Sequence, residues 1–504
     1  MSYAAFESEI AKVNDILCAV NLLTWDSRVM MPPGGVEARG KQIATLVGLA
    51  RDIATGDGLQ RAIDDARAEL SGTAPGDVRL LAVEQATEAI GTLSRIPASL
   101  LGAAAELKTI AQASWSKARA ANDFAAFAPM LERTMEMQRE IAMAIGYTEH
   151  PYDALVATYE LGMTWTRLRG LYGELRDALL PLLAEAKEAD VRAEILDRAY
   201  PVDKQRAFSS LISSRFGYDF NRGRLDDTVH PFEISFTRSD VRITGRFRET
   251  WLPGGLFAVW HEAGHGMYEQ GIAEEFSRSV FTTDFVNLYA VGGASFGTHE
   301  SQSRLWENRV GRSRRFWELN FADLRKTFPD QLPDVSAEDF WRAVNAARPG
   351  FIRVEADELT YDFHIMLRSE IEAGLMAGDI RVSDLPAIWR EKIKVYLGLD
   401  VPNDTLGVLQ DVHWSSGMVG SFPTYTIGNI MSSQFFAAAR KETAVERGLE
   451  EGDYLPLKTW LNDNVHQFGR SKSPSELLID ATGEDLSTAA YIADLTRKVE
   501  ELHS

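Results

Sequence analysis

The 504-residue chain holds one cysteine, Cys18. A single thiol closes no intramolecular disulfide and builds no thiolate cluster, so any bound metal has to be taken by imidazole and carboxylate. Positive charge is scarce as well: 53 Lys and Arg face 73 Asp and Glu, for a formal net charge of −20. Such a balance repels a phosphate backbone and argues against nucleic acid as a partner. Nowhere do apolar residues run to the roughly 18 needed to cross a bilayer, and the segment MSYAAFESEIAKVND has neither a basic stretch nor the apolar core of a secretory leader. The expectations are therefore no membrane partner and a cytoplasmic location.

What is present is ample apolar material, 45% hydrophobic against 25% charged residues, enough for a sizeable core. Over about 1–225 apolar positions recur every three or four residues, as in LLAVEQATEAIGTL and FAPMLERTMEMQREIAMAI, which predicts amphipathic helices. Breaks fall at Pro32 to Gly35, near Gly72 to Gly76, at Pro151 and at Pro201. None is long enough to act as an interdomain linker. From His230 the period changes to two: Phe232, Ile234 and Phe236 alternate, then Val241, Ile243 and Phe247 follow the polar stretch 237–240. This predicts a β-hairpin, with an edge that could align an extended peptide by main-chain hydrogen bonds. After Gly254-Gly255 helical spacing is expected to the C-terminus. The fold class is thus mainly α, one body over 1–504 with a helical half over about 1–225 and a metal-site half over about 226–504.

The segment His261-Glu262-Ala263-Gly264-His265 is an HExxH pattern. Four-residue spacing sets two imidazoles on one helical face, one turn apart, where both can reach a common ion at about 2.0–2.1 Å. Glu262 is turned about 100° from His261, beside the ion, where it can act as base on a water. Catalytic zinc usually takes three protein ligands, and the acids downstream are Glu269, Glu274, Glu275, Asp284, Glu300 and Glu307. Glu300 is favoured because HESQSRLWENRVG opens a second helical run able to pack beside the first. Glu269 would point past the ion or support a ligand from behind. No HxxGxxH follows, which excludes a three-histidine metzincin.

An ordered set of motifs accompanies this one: His230-Pro231-Phe232, Asp240-Val-Arg242-Ile-Thr244, His299-Glu300-Ser301-Gln302, Ile352-Arg353-Val-Glu-Ala356-Asp357 and Gly407-Val-Leu-Gln410-Asp411-Val-His413-Trp414. Trp25-Asp26, Met31 to Gly35, Trp460-Leu461, His466 with Gly469-Arg470, and Ala481-Thr482-Gly483 extend the likeness to both ends. By these motifs the sequence resembles the M32, or carboxypeptidase Taq, family of metallocarboxypeptidases. The resemblance implies one mostly helical, gluzincin-like body with a deep groove and a small sheet, commonly a homodimer. It implies zinc, with cobalt as a substitute, acting on peptides that have a free C-terminus. The 266–299 connection is longer than the family spacing, which makes it a mobile lid, a dimer contact or a surface insertion.

A carboxypeptidase has to bind a terminal carboxylate, and the planar fork of a guanidinium does so best. Arg353 is the first candidate and Arg242 the second, the latter alternatively limiting the groove; for each, a structural salt bridge is the competing role. His230, His413 and Tyr425 are candidate donors to the developing oxyanion or the carboxylate. Asp357 and Gln410 either orient ligands or stabilise a helix, and Trp414 and Phe422 are expected in the core. The alternative activity is a zinc endopeptidase on the same helical plan.

Overall fold

The computed structural model describes residues 2–74 and 76–503. Helices take 69% of the chain and strands 4%, the mainly helical composition that the periodicity predicts. The chain was expected as one body divided near residue 225. Its contacts gather into two units, each drawn from both halves: Met1–Leu93, Val191–Val344 and Met431–Leu486 in the first, Ser94–Asp190, Asn345–Ile430 and Ser487–Ser504 in the second.

In the first unit the hairpin is present, as β2 (Glu233–Thr237) antiparallel to β3 (Asp240–Gly245), with Ile234, Val241 and Ile243 buried. A third strand, β1 (Gly223–Asp227), lies parallel to β3 on its far side, giving the order β1-β3-β2. That strand was not anticipated, because GRLDD carries one apolar residue and no alternation. Thr244 fastens the hairpin from within: its hydroxyl donates to Phe232 O at 2.9 Å and accepts from Phe232 N at 2.8 Å. Part of the β2 edge is taken up by α1 (Ser2–Val29). Along β2, Ser235 O accepts from Asn21 at 3.0 Å and Phe236 O from Cys18 at 2.8 Å, both on that helix. Those carbonyls serve packing rather than a peptide.

The sheet lies against the helix that carries HExxH, labelled α3 (Leu252–Gly271), which starts two residues before Gly254-Gly255 with Pro253 in its first turn. Helix α2 (Val202–Phe216) also packs on it. Behind α3 an aromatic cluster fills the core: Trp260 stands 5.1 Å from Phe257, 5.4 Å from Phe316 and 5.9 Å from Phe216 between ring centroids. Each such side chain contributes about 1.5–3 kcal/mol by burial. The cluster fixes the back of α3, so the residues on its other face, His261 among them, stand on a rigid support.

Between α3 and the next helix, α4 (Phe296–Arg304), the expected helical spacing fails. The connection has two short helical turns and a two-residue strand pair, Thr283–Asp284 with Tyr289–Ala290. Val280, Phe281 and Phe285 are buried, while Asn14 and Asn21 of α1 bond Thr283 Oγ1 and Ala290 O, each at 2.8 Å. These contacts tie it to α1 within its unit. The second unit is built on α5 (Glu358–Ala377), which packs against Phe124–Ile145, Pro151–Tyr159 and Trp165–Ala186.

Candidate active site

His261 and His265 lie one turn apart on α3, ring centroids 4.9 Å from each other. Glu300 Oε2 on α4 stands 3.5 Å from His261 Nε2 and 3.4 Å from His265 Nε2. Two donors each about 2.1 Å from one ion, at the tetrahedral angle, stand about 3.4 Å apart. The donor set thus matches a small tetrahedral cation in both chemistry and spacing. Among the described residues this is the one group of three or more His, Cys, Asp or Glu side chains so gathered.

A glycine lets the two helices come this close. A Cβ on Gly264, between the histidines, would lie 2.6 Å from Gln302 O and 2.6 Å from Ser303 Cα, both backbone atoms of α4. Gly264→Ala therefore has to push the helices apart. Overpacking of this kind costs about 1–3 kcal/mol even after the better helix propensity of alanine. The expected result is a lower thermal midpoint together with reduced metal occupancy; an unchanged midpoint at full occupancy would mean that the contact has slack.

Each imidazole is held from behind. His261 Nδ1 is 2.9 Å from Glu307 Oε2. The carboxylate accepts, so the proton sits on Nδ1 and the Nε2 lone pair faces Glu300. His265 Nδ1 is 2.6 Å from His299 Nδ1, and His299 Nε2 is 2.9 Å from Glu269 Oε1. With Nε2–H of His299 given to Glu269, its Nδ1 accepts from His265, again leaving the His265 Nε2 lone pair toward Glu300. Glu269 is itself fixed by Gly292 and Gly293, whose N–H groups donate at 3.0 Å. The long 266–299 connection thus supplies the amides that orient a carboxylate two steps behind His265.

Charge at the site follows from burial and neighbours. Burial would raise the Glu300 carboxyl, but His261, Arg304 and His265 outweigh it and hold it far below the ordinary range. Arg304 Nε donates to Glu300 Oε1 at 2.7 Å and its Nη1 to Glu307 Oε2 at 3.2 Å, joining the two acids. Burial presses His265 down to about 3, so it is neutral and its lone pair is available. Glu262 behaves oppositely to Glu300: burial, opposed by His261 and helped by Glu300 and Glu307, pushes it up to about 7. It accepts the backbone N–H of Glu233, so strand β2 holds it in place. A carboxyl near neutrality beside a metal triad suits proton transfer in either direction.

The remaining sequence candidates fall in several places. His230 is exposed, ahead of β2. Arg242 is bound by its own motif, Nε and Nη2 each 2.9 Å from the Asp240 carboxylate, with its guanidinium 4.3 Å from the Trp25 ring centroid. That is the structural salt bridge held open for it. In the second unit Arg353 is buried, with Nε 3.0 Å from Asp411 Oδ1, Nη1 3.0 Å from Tyr361 Oη, and its guanidinium 5.1 Å from the Tyr425 ring. His413 Nε2 is 3.3 Å from Tyr425 Oη, and its ring stacks on Phe422 at 4.4 Å. Arg353, His413 and Tyr425 therefore form one cluster.

Asp357 caps α5, accepting from Leu359 N and Thr360 N, which selects its helix-stabilising role. Gln410 Oε1 accepts from Arg353 N at 3.0 Å and its Nε2 donates to Phe351 O at 3.0 Å, so it fixes the backbone that carries Arg353. Trp414 and Phe422 are buried as expected. The sequence pattern assigned no role to His299 or Arg304. His299 stood inside a quoted motif and Arg304 ends α4 one turn after Glu300, whereas Glu307 owes its position to a π-helical stretch, Leu305–Val310, that interrupts the helical period.

The family model of carboxypeptidase Taq (M32) metallopeptidases matches residues 5–499. Thermostable carboxypeptidase 1 of Thermus thermophilus is 38% identical over 494 residues, covering 96% of this chain and 95% of that protein. Carboxypeptidase 1 of Bacillus subtilis is 36% identical over 488 residues, with 96% and 95% covered. The crystal structure of the M32 carboxypeptidase from Deinococcus radiodurans R1 superposes with a TM-score of 0.94 at 37% identity, over 99% of both chains.

Proposed function

The chain belongs to the carboxypeptidase Taq (M32) metallopeptidase family and is a metal-dependent carboxypeptidase; on that premise we propose that it uses zinc, or cobalt in its place, on His261, His265 and Glu300 to release C-terminal amino acids from peptides. The observation that carries this reading is Glu300 Oε2 at 3.4–3.5 Å from both histidine Nε2 atoms, all three donors within 4.8 Å of one another, with Glu262 alongside. An ion held by these three residues would supply a Lewis acid for the scissile carbonyl and a water whose pKa is lowered toward about 7. Glu262 takes the proton of the attacking water and returns it to the departing amine. Glu307 and the His299–Glu269 pair keep both imidazoles in the tautomer that faces the ion. Arg353 holds the terminal carboxylate of the substrate, with His413 and Tyr425 as further donors to it or to the oxyanion.

The same proposal carries the homodimer and the cytoplasmic location. Among the described residues no helix is long and apolar enough to cross a membrane. A matched pair of peptides tests the substrate claim. With a free C-terminal acid, mass spectra should show stepwise loss of single residues; the amide of the same peptide should be cut at least about 100-fold more slowly, since a charged partner of a buried arginine is missing. Internal cuts, or equal rates on acid and amide, would favour the endopeptidase alternative.

A further inference from the structure

Arg353 does not sit with its counter-ion alone. Asp411 divides its two oxygens between two guanidiniums: Oδ1 accepts from Arg353 Nε at 3.0 Å, and Oδ2 from Arg368 Nε at 2.7 Å, with Arg368 Nη2 at 2.6 Å. Arg368 lies on α5, is 0% exposed, and is enclosed further by His364 O at 2.7 Å from Nη1 and by the rings of Trp389 and Phe422 at 4.6 and 5.6 Å. Arginine does not shed its proton in proteins. Against the two arginines Asp411 is one negative charge, because Arg368 and Arg353 outweigh burial and keep its carboxyl far below the ordinary range.

The other titratable neighbours do not fully repair the imbalance. Burial and Arg368 hold His364 well below its usual range, so it stays neutral. His413 Nδ1 lies 3.9 Å from Asp411 Oδ1, and an imidazole adds no negative charge. Glu372, one turn along α5 from Arg368, is pushed up to about 7 by burial, so near neutral pH it carries only part of a negative charge, and its oxygens are taken by Tyr152, Trp414 and Gly420. The cluster therefore buries a surplus of positive charge, which a folded protein tolerates poorly unless a partner arrives. Arg353 uses only two of its five N–H donors on Asp411 and Tyr361, with its Nη2 edge in neither bond.

We propose that Arg368 is a positioning residue for carboxylate recognition: by drawing off one oxygen and the charge of Asp411, it keeps Arg353 from being closed into a bidentate, neutral pair and leaves it cationic toward a substrate carboxylate. This rests on the reading that Arg353 is the carboxylate clamp. Without Arg368, Asp411 would swing both oxygens onto Arg353, the geometry that carboxylates and guanidiniums prefer.

The test is steady-state kinetics on the metal-loaded enzyme with a peptide acid, with thermal midpoint and metal content measured on each variant. Arg368→Met should raise KM about 10–100-fold while kcat changes by less than about 3-fold, as expected for loss of ground-state binding. Arg368→Lys, which keeps the charge, should stay within about 5-fold of wild type in KM. The double variant Arg368→Met/Asp411→Asn removes one charge of each sign, frees Arg353 again, and should recover most of the lost KM; a purely packing role would not be rescued. Arg353→Gln tests the underlying reading and should raise KM at least as much as Arg368→Met. If Arg353→Gln raises KM and Arg368→Met does not, the role given to Arg368 is overturned while the clamp stands. If Arg353→Gln leaves KM unchanged, the clamp itself is wrong. Should Arg368→Met not fold, the double variant carries the test, and a KM as high as that of Arg353→Gln overturns the proposal.

Discussion

Glu262→Gln should retain a full equivalent of metal and lose activity by about 10³-fold or more, a loss of roughly 4 kcal/mol or more in transition-state stabilisation. The amide has the same shape and still accepts the Glu233 N–H, so the substitution removes the proton-accepting charge and little else. It also relieves the burial that pushes the native carboxyl up to about 7. Stability is therefore expected to hold or rise slightly, because a buried, strained ionisable group gives way to a neutral one. The loss should fall on kcat, with KM close to wild type. Comparable activity in the Gln variant would remove Glu262 as the base; loss of metal along with activity would instead make it a support of the ion.

Glu300→Ala should fail differently, by losing the ion. Glu300 Oε2 stands 3.4–3.5 Å from the Nε2 of each histidine, so it is the group that joins the two. Removal of a group behind a metal ligand typically costs about 10–100-fold in affinity, so loss of a direct ligand should exceed that. The variant is also expected to leave Arg304 short of one of its two carboxylate partners, Glu307 being the other. The measurement is metal affinity by competition with a chelator. Chelation of the wild type should abolish activity, and zinc or cobalt should restore it. In Glu300→Ala the same additions should restore little. A variant that binds metal as tightly as wild type would disqualify Glu300 as a ligand.

Legibility in the sequence followed how local each feature is. HExxH could be read because a four-residue spacing on a helix is itself a geometry, and α3 realises it as one turn. The hairpin was visible in its alternation, whereas β1 was not, since a short polar strand is recruited by β3 and leaves no pattern of its own. Glu300 was legible as the acid of a motif, but the approach of α4 to α3 depends on Gly264, whose need becomes apparent only when the opposing backbone is seen. Glu307 was visible as one of several acids, but its place behind His261 depends on a change of helical period that nothing in LWENRV announces. Arg368 was the least legible of all. In sequence it is one arginine on an apolar helix, and only the fold shows that it shares Asp411 with Arg353, 15 positions away in the sequence. Arg242 shows the converse: its motif marks it, yet Asp240 and Trp25 already satisfy it.

Everything in the catalytic reading depends on an ion shared by two histidines and an acid from a later helix. Anomalous diffraction at the metal absorption edge, on crystals of the enzyme loaded with zinc, tests that most directly. One peak is predicted, about 2.0–2.2 Å from His261 Nε2, His265 Nε2 and a Glu300 carboxylate oxygen, with Glu262 nearby but not a ligand. A peak away from these three atoms, or one with Glu300 turned aside toward Arg304, would contradict the account.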